Sequence, residues 1–300
     1  MRGRALITGH SGFLGRAVTA ELLARGWEVV GLSRRADLPA FPGLTQMPLD
    51  LLDAPAVEGF FREHRFEALI HLAWYVGPKC HGHDVNLAWL EASLHLLRCF
   101  HASGGRLFMG VGTVSEYDMG FGWLSEASTP LDSPSLHGQC KAALFRTARQ
   151  FCLQNGMAFK WPRPFNLYGP HERAARLMPS VMRAALRGED IRVSPCTQMV
   201  DYLHVEDTAR GIADVFEGEA CGAVNVCSGT PVRLRDVVER IAALAGFRGR
   251  ILWGALPAAV DMPLIAGDSR RLRALGWEPR LSLDEGLERT LAWMRSNDVQ

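Results

Sequence analysis

The chain has 300 residues, 48% hydrophobic and 22% charged, the make-up of a globular protein long enough to bury a sizeable core in one large or two small domains. Its formal net charge is +1, from 33 Lys and Arg against 32 Asp and Glu, and no basic stripe or acidic tail breaks the balance, so no nucleic acid and no membrane surface is expected as a partner. The seven cysteines have no CxxC spacing and read as reduced thiols, no signal-peptide pattern precedes the first strand, and no apolar run approaches the roughly 18 residues of a membrane span; a cytoplasmic protein is expected.

In chain order, Arg4–Thr8 reads as a buried strand. Ser11–Arg25 has helical spacing through Phe13, Leu14, Val18, Leu22 and Leu23, with Gly26 as its stop. Glu28–Leu32 is a second strand, and Ala56–His64 a helix with Pro55 at its start. Ala68–Ala73 and Arg106–Val111 are strands on either side of a long amphipathic helix, Asp84–Ala102. His137–Gln154 is a second long helix, followed by a strand at Ala158–Pro162. This alternation predicts an α/β fold, a Rossmann-type doubly wound parallel sheet. After Arg163 the prolines and glycines at Pro164, Gly169, Pro170, Pro179 and Pro195 shorten the segments. The rhythm returns at Tyr202–Phe216 and Ala223–Val226, and helices follow at Leu234–Ala245, Asp268–Leu275 and Ser282–Met294. The expected division is a first domain over 1–164 and a smaller, mainly helical domain over 165–300, with segments around 200–227 returning to the first sheet.

Between the first strand and first helix lies Thr8-Gly9-His10-Ser11-Gly12-Phe13-Leu14-Gly15. Gly9, Gly12 and Gly15 permit a tight turn, close approach of a pyrophosphate and close helix–sheet packing. The helix N-terminus, carrying Ser11, Phe13 and Leu14, offers N–H groups and a favourable dipole to phosphates. The first domain is therefore read as dinucleotide-binding. Roughly 20 residues on, where an acidic residue grips a free 2′-hydroxyl, the chain has Ser33-Arg34-Arg35. A hydroxyl and two guanidiniums accept a 2′-phosphate, which favours NADP(H) over NAD(H). The competing reading makes the arginines a solvated turn with Asp37 reaching back.

With these features stand Leu49-Asp50-Leu51, His71-Leu72-Ala73-Trp74, Arg163-Pro164-Phe165-Asn166-Leu167-Tyr168-Gly169-Pro170, Asp201-Tyr202-Leu203-His204-Val205-Glu206-Asp207 and Leu275-Gly276-Trp277-Glu278-Pro279. In order and spacing the chain resembles, over nearly its whole length, the extended short-chain dehydrogenase/reductases: the nucleotide-sugar epimerases, dehydratases and reductases. The resemblance implies that Asp50 and Leu51 meet the adenine, that Leu72, Ala73 and Trp74 line the cofactor cleft, that Pro164 lies near the nicotinamide, and that Trp74, Thr113 and Asn166 face the substrate. For the apolar members core packing is the alternative.

The family's catalytic set is Ser or Thr, Tyr and Lys. Tyr moves the proton as hydride moves, and Lys lowers the Tyr pKa and holds the nicotinamide ribose. By that likeness Thr113 takes the hydroxyl position and Lys141 the Lys position, while the Tyr position is His137. His137 and Lys141, four apart near a helix start, share a face. Imidazole serves as general acid or base, and a neighbouring ammonium keeps it neutral. Three readings stand: His137 does the Tyr's work, it serves a step short of a full redox cycle, or the site retains only binding. The first is favoured.

Other departures narrow the choice. Val114 and Ser115 stand where dehydratases of the family carry an Asp-Glu pair, and Glu116 is one residue late, which on a strand points it to the other face. The family's diphosphate-binding arginines correspond to Val200 and about Ala258; Arg173 and Arg176 are candidate replacements or, equally, solvated helix residues. Cys80-His81-Gly82-His83 lacks a third and fourth metal ligand at workable spacing, so substrate contact or solvent is read there and no metal is expected. His95 and His101, on the long helix, read as surface or packing residues. The leading expectation is an NADP(H)-dependent ketoreductase of a sugar or nucleotide sugar. The alternatives are an epimerase that keeps its dinucleotide, and a catalytically silent dinucleotide-binding protein. The long helices Asp84–Ala102 and His137–Gln154 match those the family pairs across a dimer, so a homodimer is expected.

Overall fold

The apolar segments at the start of the chain sort into a sheet buried on both faces. A computed structural model describes residues 3–34, 42–258 and 262–297. Its central sheet has seven strands: β1 (Arg4–Thr8), β2 (Glu28–Ser33), β3 (Leu44–Pro48), β4 (Ala68–His71), β5 (Leu107–Gly110), β6 (Ala158–Pro164) and β7 (Gly222–Val226). The order is β7-β6-β5-β4-β1-β2-β3, with every neighbouring pair parallel. This is the Rossmann-type doubly wound sheet, and its order reverses between β1 and β4, where open parallel sheets bind ligands at the strand C-termini.

Alternation along the strands divides the core. Leu6, Leu69 and Phe108 pack with α2 (Ala54–Glu63), α3 (Val85–Ala102) and α4 (Leu136–Gln154). Ala5, Ile7, Ile70 and Met109 face the opposite layer, with α1 (Phe13–Ala24) and α6 (Val205–Glu217). The third core cluster joins α5 (Leu177–Arg187), α7 (Leu234–Ala245) and α9 (Leu283–Asn297), and covers the C-terminal side of the chain. Short strands supplement the helices there: Met199–Val200, Val232–Arg233 and Leu264–Gly267 form a small sheet with Trp123–Leu124. Tyr202–His204 pairs with Asn166–Tyr168 outside the main sheet. Asp201 stitches these segments together, its carboxylate accepting from the backbone N–H groups of Ser228, Gly229 and Gly267 and from the Ser228 hydroxyl.

Two expectations are corrected, and one strand, β3, was not anticipated. β3 gives no clear strand signal because it is half polar (Thr45, Gln46) and ends in Pro48, a composition that an edge strand tolerates. The helix expected over Asp268–Leu275 shrinks to α8 (Arg270–Arg273), because the Asp268 carboxylate turns back onto the Arg270 N–H and guanidinium. Glu116 does not lie on a strand. After β5 the chain closes a 3₁₀ turn over Val114–Glu116, in which the Thr113 hydroxyl accepts from Ser115 N–H and the Thr113 N–H donates to Glu116 Oε1.

That turn is anchored from below. The fully buried Glu116 carboxylate accepts from Trp161 Nε1 at 3.0 Å and Arg163 Nε at 2.7 Å. Arg163 Nη1 donates to the Tyr117 hydroxyl, which donates to Asn225 Oδ1. One network thus ties the turn after β5 to β6 and β7. Removing one partner of a buried ion pair leaves the other charge unpaired, at a cost of about 3–5 kcal/mol. Glu116→Ala is expected to lose stability of that order in urea unfolding at neutral pH; a loss below about 1 kcal/mol would mean that the pair is dispensable.

Candidate active site

At the C-terminal end of β1 the chain makes a turn that only glycine permits. Gly9 has φ +74°, and a Cβ there would lie 2.7 Å from the backbone N of Ala73. A Cβ on Gly15 would fall 2.0 Å from Gly9 O, so the start of α1 rests directly on the turn. Gly12, the N-cap of α1, has no side-chain cap, and the first turn holds no acidic residue. The first N–H groups of that helix, at Phe13, Leu14 and Gly15, are thus left for an anion, and this cradle fits a dinucleotide pyrophosphate. His10, not singled out from sequence, locks the loop from behind: its buried ring reaches Leu32 O from Nδ1 at 3.2 Å and rests on the bare face of Gly31.

At the end of β2, Ser33 is half-buried and Arg34 exposed; Arg35 and Asp37 lie outside the described residues. Leu49 N–H donates to Ser33 O, which brings exposed Asp50 to the same corner, while the Leu51 side chain packs into the core. On the other side of the switch point Leu72 and Ala73 are half-buried, and Ala73 N–H donates to the Thr8 hydroxyl. A chain of hydrogen bonds fixes this crossing. Ser93 Oγ donates to Trp89 O, so it accepts from His71 Nε2 at 2.8 Å, and Thr8 Oγ1 donates to His71 Nδ1 at 2.7 Å. Burial, with Lys141 nearby, pulls the His71 pKa down to about 3.

The candidate catalytic residues come together at the start of α4. Ser135 caps the helix by accepting from Gly138 N–H. This places His137 in the first turn and Lys141 one turn on, both buried. A Cβ on Gly138 would lie 2.0 Å from Ser115 O, so this helix end sits hard against the Thr113 turn. Lys141 Nζ donates to Val111 O at 2.9 Å and stands 4.1 Å from the centre of the Trp74 ring, a cation–π contact. Burial lowers its pKa to about 8 against the upward pull of Glu116. His137 N–H donates to His81 O, and its ring meets those of Trp74 and His81 edge-on. Burial, then the charge of Lys141, then His81, pull its pKa down to about 3, so the ring is neutral at pH 7.

Asn86, in the first turn of α3, is the member that sequence reading missed. Its Nδ2 donates to Cys80 O and His83 O, and its Oδ1 takes Trp74 Nε1 at 2.8 Å and His137 Nδ1 at 3.2 Å. Trp74 therefore lies against the His137–Lys141 pair as well as in the core. His81 belongs to this group too, since Arg176, at the N-cap of α5, acts electrostatically on it and on Glu172. Arg173 is exposed and is not drawn in. Asn166 is half-buried, its amide reaching Asp201 O at 3.4 Å, and Pro164 closes β6 in a buried position. Tyr117 is committed to Arg163 and Asn225, away from His137 and Lys141. A cleft of about 370 Å³ runs from Ser11, Phe13 and Arg16 to His171, Glu172 and Trp293. Burial raises the Glu172 pKa to about 8 there. Among the described residues no three His, Cys, Asp or Glu side chains gather as metal ligands, and no helix is long and apolar enough to cross a membrane.

The comparisons agree with this geometry. The profile of the NAD dependent epimerase/dehydratase family matches residues 5–227. GDP-L-fucose synthase of Escherichia coli strain K12 is 25% identical over 330 residues, covering 98% of this chain and 97% of that protein. GDP-6-deoxy-D-mannose reductase of Pseudomonas aeruginosa is 26% identical over 316 residues, covering 97% of each. A crystal structure of Thermus thermophilus UDP-glucose 4-epimerase in complex with NAD aligns with a TM-score of 0.83 at 25% identity, over 98% of this chain and 99% of that one. The chain belongs to the NAD-dependent epimerase/dehydratase family, that is, to the extended short-chain dehydrogenase/reductases. It is accordingly an NAD(P)-dependent enzyme of the nucleotide-sugar epimerase, reductase and dehydratase group.

Two strongly depressed histidines, His71 and His137, contribute a pH dependence. Between about pH 6.5 and 3 the unfolded chain binds protons at His71 and His137 that the fold refuses. Their contribution is complete above about pH 6.5 and is lost as pH falls through that window, by at most about 1.4 kcal/mol per pH unit for each ring. Urea midpoints are expected to fall between about pH 7 and pH 4.5, and less steeply in His71→Asn; equal slopes would remove His71 from the account.

Proposed function

We propose that this enzyme moves a hydride between a nicotinamide cofactor and one carbon of a nucleotide sugar, with His137 exchanging the proton of the reacting oxygen. The observation that carries the reading is the pairing of buried His137 and Lys141 on one turn of α4, against the Thr113 turn and beside the glycine loop. Bound nicotinamide supplies the hydride acceptor or donor. Gly9, Ser11, Gly12, Phe13, Leu14 and Gly15 hold its pyrophosphate, and Leu72 and Ala73 line its path. Lys141 holds the ribose and adds its charge to the burial that keeps His137 neutral. Thr113 polarises the substrate oxygen, and Asn166 and Arg176 hold the sugar nucleotide, drawn in part from residues 165–300. That the relatives' names specify GDP- and UDP-linked sugars supports this substrate class.

Ser33 and Arg34 favour NADP(H) as the cofactor. Calorimetric titration is expected to show tighter binding of NADPH than NADH, the difference shrinking in Arg34→Ala; equal affinities would return the preference to NAD(H). His137→Asn is expected to bind cofactor normally and lose about 10²–10⁴-fold in kcat. If neither dinucleotide binds, the enzymatic reading falls and a protein partner becomes the object of search.

We also propose a homodimer across α3 and α4, which pack on each other and leave Leu87 and Leu153 exposed. Light scattering is expected to give twice the 33.1 kDa chain mass, and Leu87→Glu with Leu153→Glu to give the single mass. A wild-type monomer at micromolar concentration refutes the dimer.

A further inference from the structure

The orientation of Asn86 is determined by its partners. Its Nδ2 faces two backbone carbonyls, Cys80 O and His83 O, which accept only. Its Oδ1 faces Trp74 Nε1, which donates only. An amide flipped end for end would put donor against donor and acceptor against acceptor, so the assignment is unambiguous. The atom 3.2 Å from His137 Nδ1 is therefore an acceptor, and Nδ1 must carry the ring proton. Nε2 is then a bare lone pair, and it makes no hydrogen bond to any described residue. The charged or titratable groups that bear on the ring are Lys141 on its own helix and His81 on the facing loop, with Arg176 acting in turn on His81. The two that act on the ring directly discourage a second proton on it.

We propose that Asn86 is a positioning residue that holds His137 in the Nδ1–H tautomer, so that Nε2 accepts the proton of a sugar hydroxyl and the reaction cycle opens with oxidation. This rests on the redox reading given above and adds its direction. In the opening step the hydroxyl C–H bond breaks, its electron pair leaving as hydride to the oxidised nicotinamide. The O–H proton passes to His137 Nε2, and the products are a carbonyl, a reduced nicotinamide and an imidazolium. The imidazolium then holds the proton needed to close the cycle if the hydride returns to the other face, which is the balance of an epimerase. A neutral Nδ1–H ring has nothing to donate at Nε2, so reduction of a keto-sugar as the first step is disfavoured. Asn86 also spans the Cys80–His83 loop, so one side chain sets both the ring and the loop above it.

The direct test needs no substrate. Protein labelled with ¹⁵N-histidine is examined without ligand by long-range ¹H–¹⁵N correlation, the signals of His137 being those missing in His137→Asn. The expected pattern is a protonated Nδ1 and an unprotonated Nε2 at neutral pH. In Asn86→Ala the Nε2–H form should gain population. In Asn86→Asp one carboxylate oxygen keeps the acceptor for Nδ1 while the other faces the Cys80 and His83 carbonyls and forfeits those two hydrogen bonds, so the loop loosens but the Nδ1–H form should persist, and the added charge raises the pH at which the ring protonates. Wild-type signals showing Nε2–H, or an unchanged tautomer ratio in Asn86→Ala, overturn the proposal; if that variant does not fold, Asn86→Asp decides alone. In turnover, the acid limb of kcat/KM for oxidation should move to higher pH in Asn86→Asp, which a merely structural role would not cause. Steady consumption of NADPH by a keto-sugar with no oxidising half-reaction would defeat the direction yet leave the redox reading standing. Full turnover in His137→Asn would defeat the redox role of His137 itself.

Discussion

The buried carboxylate of Glu116 is the constraint on which the active-site edge of the sheet depends. It is placed where water cannot compensate it, and it therefore demands Arg163 and Trp161 from the neighbouring strand. Satisfying it also holds the Thr113 backbone N–H, so the candidate hydroxyl residue is oriented by an ion pair that is itself fully buried. The same pair contributes to the local electrostatics, because the Glu116 carboxylate supports the charge on buried Lys141. Lys141 in turn discourages protonation of His137. A structural ion pair and the buried His137 ring are thereby linked through a single ammonium group, in a medium where charges screen one another poorly.

Imidazole in the place of a phenol, as the family resemblance implies for His137, changes more than one atom's reach. Phenol has one oxygen, which gives and takes the same proton. Imidazole has two nitrogens, and the hydrogen bond at one decides the role of the other. The site answers with Asn86, and with Trp74, whose indole shares the Asn86 oxygen and offers its face to Lys141. These residues read as a set built around His137, and the set gives the ring a defined donor end and a defined acceptor end.

Most of the sheet was legible because β1, β4 and β5 are short apolar runs between helical repeats, and burial on both faces leaves no other use for them. β3 was not, because an edge strand is half polar and carries little hydrophobic signal. The glycine loop was legible because its spacing is imposed by backbone contacts that a Cβ would violate. Asn86 escaped notice because a polar residue in an amphipathic helix ordinarily faces water; its burial depends on the Cys80–His83 loop and on a helix that follows about 50 residues later. His71 and Ser93 pair with Thr8 across the sheet, a long-range chain that periodicity does not record. Glu116 was misjudged because its place was inferred from strand alternation, whereas the chain had already turned.

The sheet also ends on a residue that cannot donate. Pro48 closes β3 at the outer edge, with no N–H to offer a further strand. An incoming extended chain would find its ladder broken at this point, so the edge is a poor template for growth into fibrils or for capture of stray peptides. Strand-to-strand growth is thereby discouraged at this edge of the sheet.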